Sequence, residues 1–300
     1  MVEYKLMKKV LIAGGSGLVG QALIKHFPED SYHIHILSRS KRANTPKVSY
    51  FQWDLDKEEI DLEALKVDVI INLTGAGIAD KRWSKSRKEV LIQSRTKSAT
   101  LIVKGLEQLD HKVDQYIGAS AIGFYGSRGS EWMDEESMPG EGFLSECSLL
   151  WEEAHQKLEP LVRYWSMVRI GIVLSHDGGA LPKMLMTKSI GVYNYFGDGQ
   201  QYYSWIHIED LCRLFTFIID QKMEGVYNGT APEPVTNKAM MESFLEETNL
   251  SGILLPAPAF ALKLAMGEMS AVVLDSCRTS SQKIQEAGFS FEYPNAWDII

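Results

Sequence analysis

The chain has 300 residues, 45% of them hydrophobic, which is enough for one large globular domain or two closely packed ones. Its formal net charge of −8 argues against non-specific binding to nucleic acid or to an anionic membrane surface. The three cysteines, Cys147, Cys212 and Cys277, are far apart in the sequence, so they indicate a reducing cytoplasm and predict neither a disulfide framework nor a metal site.

The first predicted element is a strand followed by a glycine-rich turn. In KKVLIAGGSGLVGQALIKHF, residues 8–27, an apolar run precedes Gly14, Gly17 and Gly20, and a helical pattern of apolar residues follows. Glycines permit a tight turn and the close approach of backbone to a diphosphate, and the first N–H groups of the next helix can bind an anion. The alternative is a helix start that is rich in glycine without a ligand, so the interpretation depends on the elements that follow.

Strands and helices alternate along the next part of the chain. Apolar runs predict strands at 33–38, 48–54, 67–75, 116–120 and 166–174, and helical patterns lie at 84–109 and 147–158. This alternation predicts an α/β fold, namely a Rossmann-type doubly wound parallel sheet with a smaller α/β substrate domain. Ligands of such sheets bind beyond the carboxyl ends of the strands, which favours residues 14–20, 38–39, 73–75, 119–120 and 172–173 as one site.

A late apolar stretch, residues 253–274, needs a separate interpretation. It contains two prolines, Lys263 and Glu268, which are not typical of a membrane span. We therefore expect a buried or amphipathic helix there.

The end of the second predicted strand indicates which dinucleotide would bind. An NAD site places an acidic residue there to bond the ribose 2′-hydroxyl, whereas this chain has Ser38 and Arg39 in the sequence SRSKR. A guanidinium and a hydroxyl attract a 2′-phosphate that a carboxylate would repel. The sequence thus predicts NADP, the alternative being an ordinary basic loop in solvent.

Further motifs follow the glycine-rich stretch in a fixed order: SRS at 38–40, NLTGAGI at 72–78, GASAIGFYG at 118–126, RIGIVLSHDGGALPKM at 169–184, GDGQQYYSWIHIEDL at 197–211 and NGTAPEPVTN at 228–237. With these motifs, nearly the whole chain resembles the atypical extended short-chain dehydrogenase/reductases of the NAD(P)-dependent epimerase/dehydratase superfamily. It is most similar to the putative NADP-dependent epimerase-like branch that ends in a C-terminal domain of unknown function.

The resemblance implies both domains and cofactor contacts. An NADP-binding Rossmann domain would span 1–170 plus 206–229, and a substrate and C-terminal domain would span 171–205 plus 230–300. The residues it implies as NADP contacts are Gly14, Gly17, Leu18, Val19, Ser38, Arg39, Leu73, Thr74, Glu89, Arg95 and Val173. For Glu89 and Arg95 the alternative is an ordinary charge on the face of a helix.

The usual catalytic pair of the family is missing. Its members use a Tyr-x-x-x-Lys pair on the helix after the fifth strand, and ungapped alignment places Cys147 and Trp151 at those two positions. A thiol can in principle transfer a proton, but tryptophan cannot lower its pKa, so a packing role for Cys147 is favoured. Ser120 matches the family's assisting serine, and Tyr125 is the nearest tyrosine.

Other polar residues remain as alternatives. They are Glu152 as a pocket carboxylate, His207 as a base or as a packed residue at a helix start, and Lys183 as an anion-binding group.

The sequence therefore predicts an NADP-dependent oxidoreductase or epimerase-like enzyme that acts on a small polar, possibly nucleotide-sugar-like, molecule. The competing hypothesis is an NADP(H)-binding regulatory or sensor protein with little or no turnover, in which loss of the catalytic pair marks lost catalysis. We expect no metal, no nucleic acid and no membrane as partners, a cytoplasmic location, and a possible homodimer.

Overall fold

The computed structural model describes residues 7–247 and 252–299. Its strands are β1 (Lys8–Ala13), β2 (Tyr32–Ser38), β3 (Val48–Asp54), β4 (Glu59–Ile60), β5 (Val69–Asn72), β6 (Val113–Ala121), β7 (Trp132–Met133), β8 (Val162–Ile170), β9 (Ile172–Ser175), β10 (Gly178–Gly179), β11 (Val192–Phe196), β12 (Tyr202–Tyr203), β13 (Trp205–His207), β14 (Gly225–Gly229), β15 (Val235–Thr236), β16 (Ile253–Ala257) and β17 (Arg278–Thr279). Its helices are α1 (Leu18–His26), α2 (Lys85–Glu107), α3 (Phe143–Gln156), α4 (Leu181–Met184), α5 (Ile208–Gln221), α6 (Asn237–Glu247), α7 (Ala259–Met266), α8 (Ala271–Leu274) and α9 (Gln282–Glu286).

The central sheet has the strand order of a doubly wound fold. Its order is β14-β8-β6-β5-β1-β2-β3-β4, and every pair is parallel except the one between β3 and β4. The chain runs outwards from β1 in both directions, so the order reverses between β1 and β5. A ligand crevice opens at such a reversal, beyond the carboxyl ends of the two strands. The predicted Rossmann-type α/β fold is confirmed.

Alternate residues of β1 face two separate layers of core. Val10 and Ile12 pack with Leu23 of α1 and Phe215 of α5 on one face of the sheet. Leu11 and Ala13 lie in the core that contains residues of α2 and α3 on the other face. Since both faces are covered at residues 10–13, this part of β1 is a continuous hydrophobic run, whereas Lys8 and Lys9 at its start are not fully buried.

Helix α2 begins where the sequence predicts. Ser84 precedes it, and its Oγ accepts a hydrogen bond from the Arg87 N–H at 3.1 Å. This side-chain cap satisfies one of the N–H groups that have no partner inside the first turn of a helix.

Two predicted elements differ in the structure. The strand expected at 166–174 is divided at Gly171, and β9 joins a small sheet with β10 and β13. A Cβ at Gly171 would lie 2.6 Å from the Ser204 carbonyl oxygen, so this close approach of two backbones ends the central strand. The single helix expected at 253–274 is wrong as well. Residues Ile253–Ala257 form β16, which pairs with β11, and two short helices follow it.

The second part of the molecule has its own apolar core, formed by residues such as Tyr193, Trp205 and Phe244. The division at 171–205 plus 230–300 stays a prediction. Within the second range, Ile284 and Phe289 pack in the core of the central sheet, whereas Ala296 and Ile299 pack in the smaller core. Among the helices of the described ranges, none has the length and apolar character that crossing a membrane requires.

Candidate functional site

The glycine-rich turn packs directly against the end of β5. Gly14 has φ +87°, and a Cβ there would lie 2.9 Å from the Leu73 carbonyl carbon and 3.1 Å from the Thr74 nitrogen. A Cβ at Gly20 would lie 2.6 Å from the Gly14 carbonyl oxygen. These two glycines are therefore required by the fold itself, because the turn, β5 and α1 approach each other within backbone contact.

Gly17 differs from the other two glycines because its position is open. It precedes α1 without a side-chain cap, and a Cβ there would meet a single atom within 4 Å, the Gly14 carbonyl oxygen at 3.4 Å. The N–H groups of the first turn, including those of Leu18 and Val19, have no acceptor within the helix. The turn thus presents unpaired donors and free space, which suits a diphosphate.

Thr74 adds a second sign of a ligand beside this turn. Its Oγ1 is buried and has no hydrogen-bond partner, although its backbone N–H donates to Asn72 Oδ1 at 3.1 Å. A buried hydroxyl without a partner is costly, so a bound polar group would stabilise it. Together with the donors of α1, this hydroxyl fits the polar part of a dinucleotide.

The residues after β2 are available to a ligand. Arg39 is exposed, and within the described ranges it has no hydrogen bond or ion pair. The Ser38 Oγ donates to the Ser40 carbonyl oxygen at 2.8 Å and accepts from the Ser40 N–H at 3.3 Å. This local turn shapes the loop and leaves the guanidinium of Arg39 in solvent.

The two charged residues of α2 that the resemblance implies as NADP contacts, Arg95 and Glu89, lie in different surroundings. The Arg95 Nη1 donates to the carbonyl oxygens of Ala76 and Leu91, and its guanidinium lies 4.8 Å from the centre of the Trp151 ring. Burial lowers the pKa of Arg95 from its usual value. Arg95 lines a large cavity, whereas Glu89 is exposed and does not. The structure thus supports a ligand role for Arg95 and gives no support to Glu89.

A cavity of about 620 Å³ adjoins the cofactor side of the sheet. Val173 and Gly179 line it, and a Cβ at Gly179 would lie 2.9 Å from the Leu18 Cδ2 of α1. The cavity therefore lies close to the first turn of α1 and reaches the smaller core, as expected for a nicotinamide end and a substrate.

The two residues at the positions of the usual catalytic pair line this cavity. Cys147 is 4% exposed and Trp151 is 6% exposed. Burial raises the pKa of the Cys147 thiol, although the nearby charge of Arg95 acts in the opposite direction. The Trp151 Nε1 is buried and has no hydrogen-bond partner. These observations favour packing for Cys147 and leave one unpaired donor in the cavity wall.

Ser120 does not line the cavity. It is 1% exposed, and its Oγ donates to Glu152 Oε1 at 2.6 Å. Arg169 donates to both oxygens of the same carboxylate, from Nε at 2.9 Å and from Nη2 at 3.0 Å. The Ser120 hydroxyl proton is therefore held by a buried carboxylate, and the role of Ser120 as the family's assisting serine stays a prediction.

Tyr125 belongs to the same buried network. Its hydroxyl donates to Asn228 Oδ1 at 2.7 Å and accepts from Arg169 Nη1 at 3.0 Å, and its side chain is fully buried. Burial raises its pKa, with Arg169 acting in the opposite direction. A role for Tyr125 in proton transfer to a ligand has no geometric support, since it too lies outside the cavity lining.

The structure also shows the surroundings of the other polar candidates, His207 and Lys183. The His207 Nδ1 accepts from the Glu209 N–H at the start of α5, and its ring stacks on Tyr293 at 3.8 Å, so this histidine is a packed cap. Lys183 lines the cavity and is exposed.

One cavity residue was not predicted from the sequence. Asp275 lines the cavity from the C-terminal segment, and its only signal in the sequence is a single acidic residue after an apolar run. Within the described residues, no cluster of side chains suits a metal ion.

The reversed strand order, the glycine-rich turn and the adjoining cavity define a Rossmann-type fold of the kind that binds NAD(P). Residues 10–148 match the NAD dependent epimerase/dehydratase family, and residues 257–297 match a domain of unknown function, DUF1731. An epimerase family protein of Staphylococcus saprophyticus is 34% identical over 96% of this chain and 97% of its own length. One of Staphylococcus haemolyticus is 35% identical over 96% of both chains. The chain belongs to the NAD-dependent epimerase/dehydratase family, as the sequence motifs predict.

Solved structures show the same fold. The human epimerase family protein SDR39U1, solved with NADPH, superposes with a TM-score of 0.84 at 23% identity and 97% coverage of both chains. A nucleoside-diphosphate sugar epimerase from Corynebacterium glutamicum gives a TM-score of 0.77 at 29% identity, covering 98% of this chain and 57% of that one.

Proposed function

We propose that the protein binds NADP and is an NADP-dependent oxidoreductase or epimerase-like enzyme that acts on a small molecule in the cavity. The observation that carries the proposal is the end of β2, where Arg39 is exposed and has no partner among residues 7–247 and 252–299, at the position that selects between the two dinucleotides in this fold. A guanidinium binds a 2′-phosphate through charge-assisted hydrogen bonds, which contribute about 1.5–3 kcal/mol each.

The other contacts follow from the geometry of the site. The turn from Gly14 to Gly20 would hold the diphosphate, and the unpaired Thr74 hydroxyl would donate to it or to a ribose. Arg95 and Val173 would lie at the nicotinamide end, where they line the cavity. The bound cofactor would supply hydride transfer, and the protein's part is to orient it and to exclude water.

A second function, an NADP(H)-binding regulatory protein with little turnover, is favoured by one observation. Each hydroxyl or thiol expected to move a proton is either held in a buried network, as in Ser120 and Tyr125, or has a pKa raised by burial, as in Cys147. The two functions share cofactor binding and differ in turnover.

Cofactor titrations test the shared part. Arg39→Ala should lower the affinity for NADPH by about 10- to 150-fold and leave that for NADH nearly unchanged. Lys41→Ala, which removes a charge from the same loop, is the matched control and should have a much smaller effect. Equal affinities of the unchanged protein for NADPH and NADH would refute the proposal.

Turnover separates the two functions. NADPH oxidation is followed against a panel of carbonyl compounds and nucleotide sugars. Oxidation of NADPH with any of them supports the enzyme, and tight NADPH binding without turnover supports the regulatory protein. A cytoplasmic location and a homodimer stay predictions.

A further inference from the structure

The C-terminal segment closes the cavity on the side away from the glycine-rich turn. Leu262 and Met266 of α7 and Val272 of α8 line it there. Leu144 of α3 and Met184 of α4 line it from other elements. The walls that would surround a substrate are therefore mostly hydrocarbon, and they favour an apolar ligand.

The charges of the lining do not suit a nucleoside diphosphate. The charged residues among the described lining residues are Asp80, Arg95, Lys183 and Asp275, and their formal charges sum to zero. Asp80 and Lys183 are exposed, and Arg95 already donates to two carbonyl oxygens. A diphosphate placed in this cavity would thus leave water for a wall that offers few donors, which costs free energy.

Asp275 is one of the polar groups of the lining, together with Lys183, Ser148 and Tyr202. It is half-buried, and within the described ranges its carboxylate has no hydrogen bond or ion pair. Burial raises its pKa. Asp275 also lines a second, more open pocket beside Lys263 and Glu268, so it stands between the cavity and solvent. An unpaired carboxyl group in an apolar wall gains from a ligand that hydrogen-bonds it and disfavours an anion.

We propose that the substrate side of this cavity binds an uncharged, largely apolar molecule with one hydroxyl group, and that Asp275 selects it by accepting a hydrogen bond from that hydroxyl and repelling anions. Both effects belong to the carboxylate form of Asp275, which accepts hydrogen bonds and carries the negative charge. The inference rests on the proposed function and narrows its substrate, as an alternative to the polar, nucleotide-sugar-like molecule that the sequence predicts.

Calorimetric titration with two probes of one shape tests the proposal. The alcohol 4-phenylbutan-2-ol and hydrocinnamate share a phenylethyl group, and they differ in a secondary alcohol against a carboxylate. The unchanged protein should bind 4-phenylbutan-2-ol about tenfold or more tightly than hydrocinnamate, because a like charge beside Asp275 is unfavourable. Asp275→Asn keeps the size of the side chain and should remove most of this preference.

The matched control is Asp198→Asn, which neutralises a carboxylate that lines the open pocket but not the cavity. It should leave the preference as it is. The proposal is overturned if UDP-glucose binds more tightly than 4-phenylbutan-2-ol, if 4-phenylbutan-2-ol does not bind, or if Asp275→Asn leaves the preference unchanged. Titrations run with and without NADPH keep this result separate from cofactor binding, whose failure would refute the proposed function instead.

Discussion

Removing the charge of Arg169 should destabilise the protein strongly, although this residue lies outside the cavity. Its side chain is 4% exposed and makes two hydrogen bonds to Glu152, one to the Tyr125 hydroxyl and one, at 3.1 Å, to the Glu135 carbonyl oxygen. In Arg169→Met the Glu152 carboxylate, 9% exposed, would keep only the hydrogen bond from Ser120. Breaking one partner of a buried ion pair typically costs about 3–5 kcal/mol, because the other charge stays buried without compensation.

A double-mutant cycle identifies the cause of that loss. Glu152→Leu alone should cost a similar free energy, since it leaves the guanidinium buried and unpaired. The double variant, Glu152→Leu with Arg169→Met, should be more stable than either single variant, because no uncompensated charge remains. The free energy of unfolding is measured in urea at neutral pH for all four proteins.

Two results would refute this reasoning. One is a loss below about 1 kcal/mol in Arg169→Met, which is no more than an average point substitution costs. The other is a double variant whose loss equals the sum of the two single losses, which would show that the two charges are not coupled.

Three further predictions follow from the same structure. Gly17→Val should abolish NADPH binding while far-ultraviolet circular dichroism stays near that of the unchanged protein, because the Cβ at this position meets no backbone atom closer than 3.4 Å. The contrasting variant Gly20→Val should disturb the fold itself, since its Cβ would lie 2.6 Å from the Gly14 carbonyl oxygen. Retained NADPH affinity in Gly17→Val would contradict the proposed diphosphate site. Cys147→Ala should cost at most about 2 kcal/mol of stability and change no turnover, whereas a rate lowered by roughly 10²–10⁴-fold would mean that the thiol transfers a proton. His155 is fully buried, and burial lowers its pKa to about 3. Because the unfolded chain binds this proton near pH 6.5 and the folded chain does not, stability should fall by about 1.4 kcal/mol between pH 7.5 and 5.5 from this residue alone. Urea unfolding of His155→Phe should show a smaller dependence on pH over that range, and an unchanged dependence would contradict the prediction.

The sequence by itself determined the parts of this protein that depend on neighbouring residues. The apolar run of β1, the glycines of the turn and the apolar face of α1 are contiguous, so their order already indicates a dinucleotide site. The start of α2 follows from Ser84, whose side chain caps an N–H three residues away. The position of Arg39 at the end of β2 also follows from neighbouring residues, because it closely follows the apolar run of that strand.

Only the tertiary structure decided what the other candidate residues do. Ser120 matches the position of the family's assisting serine and Tyr125 is the nearest tyrosine, yet their partners Glu152 and Asn228 lie 32 and 103 residues further along the chain. The break at Gly171 likewise coincides with backbone contact with Ser204, a distant residue. No local pattern encodes such contacts, because they join residues that are far apart in the sequence.

The lining of the cavity, too, could not be predicted from the sequence. Arg95 from α2 and Asp275 after α8 are separated by most of the chain, and each looks like an ordinary surface charge in the sequence. Folding places both in one mostly apolar wall and leaves Asp275 without a partner in the described residues. The free energy of a charge depends on its surroundings, so its chemistry is fixed by the packed structure and not by residue type alone.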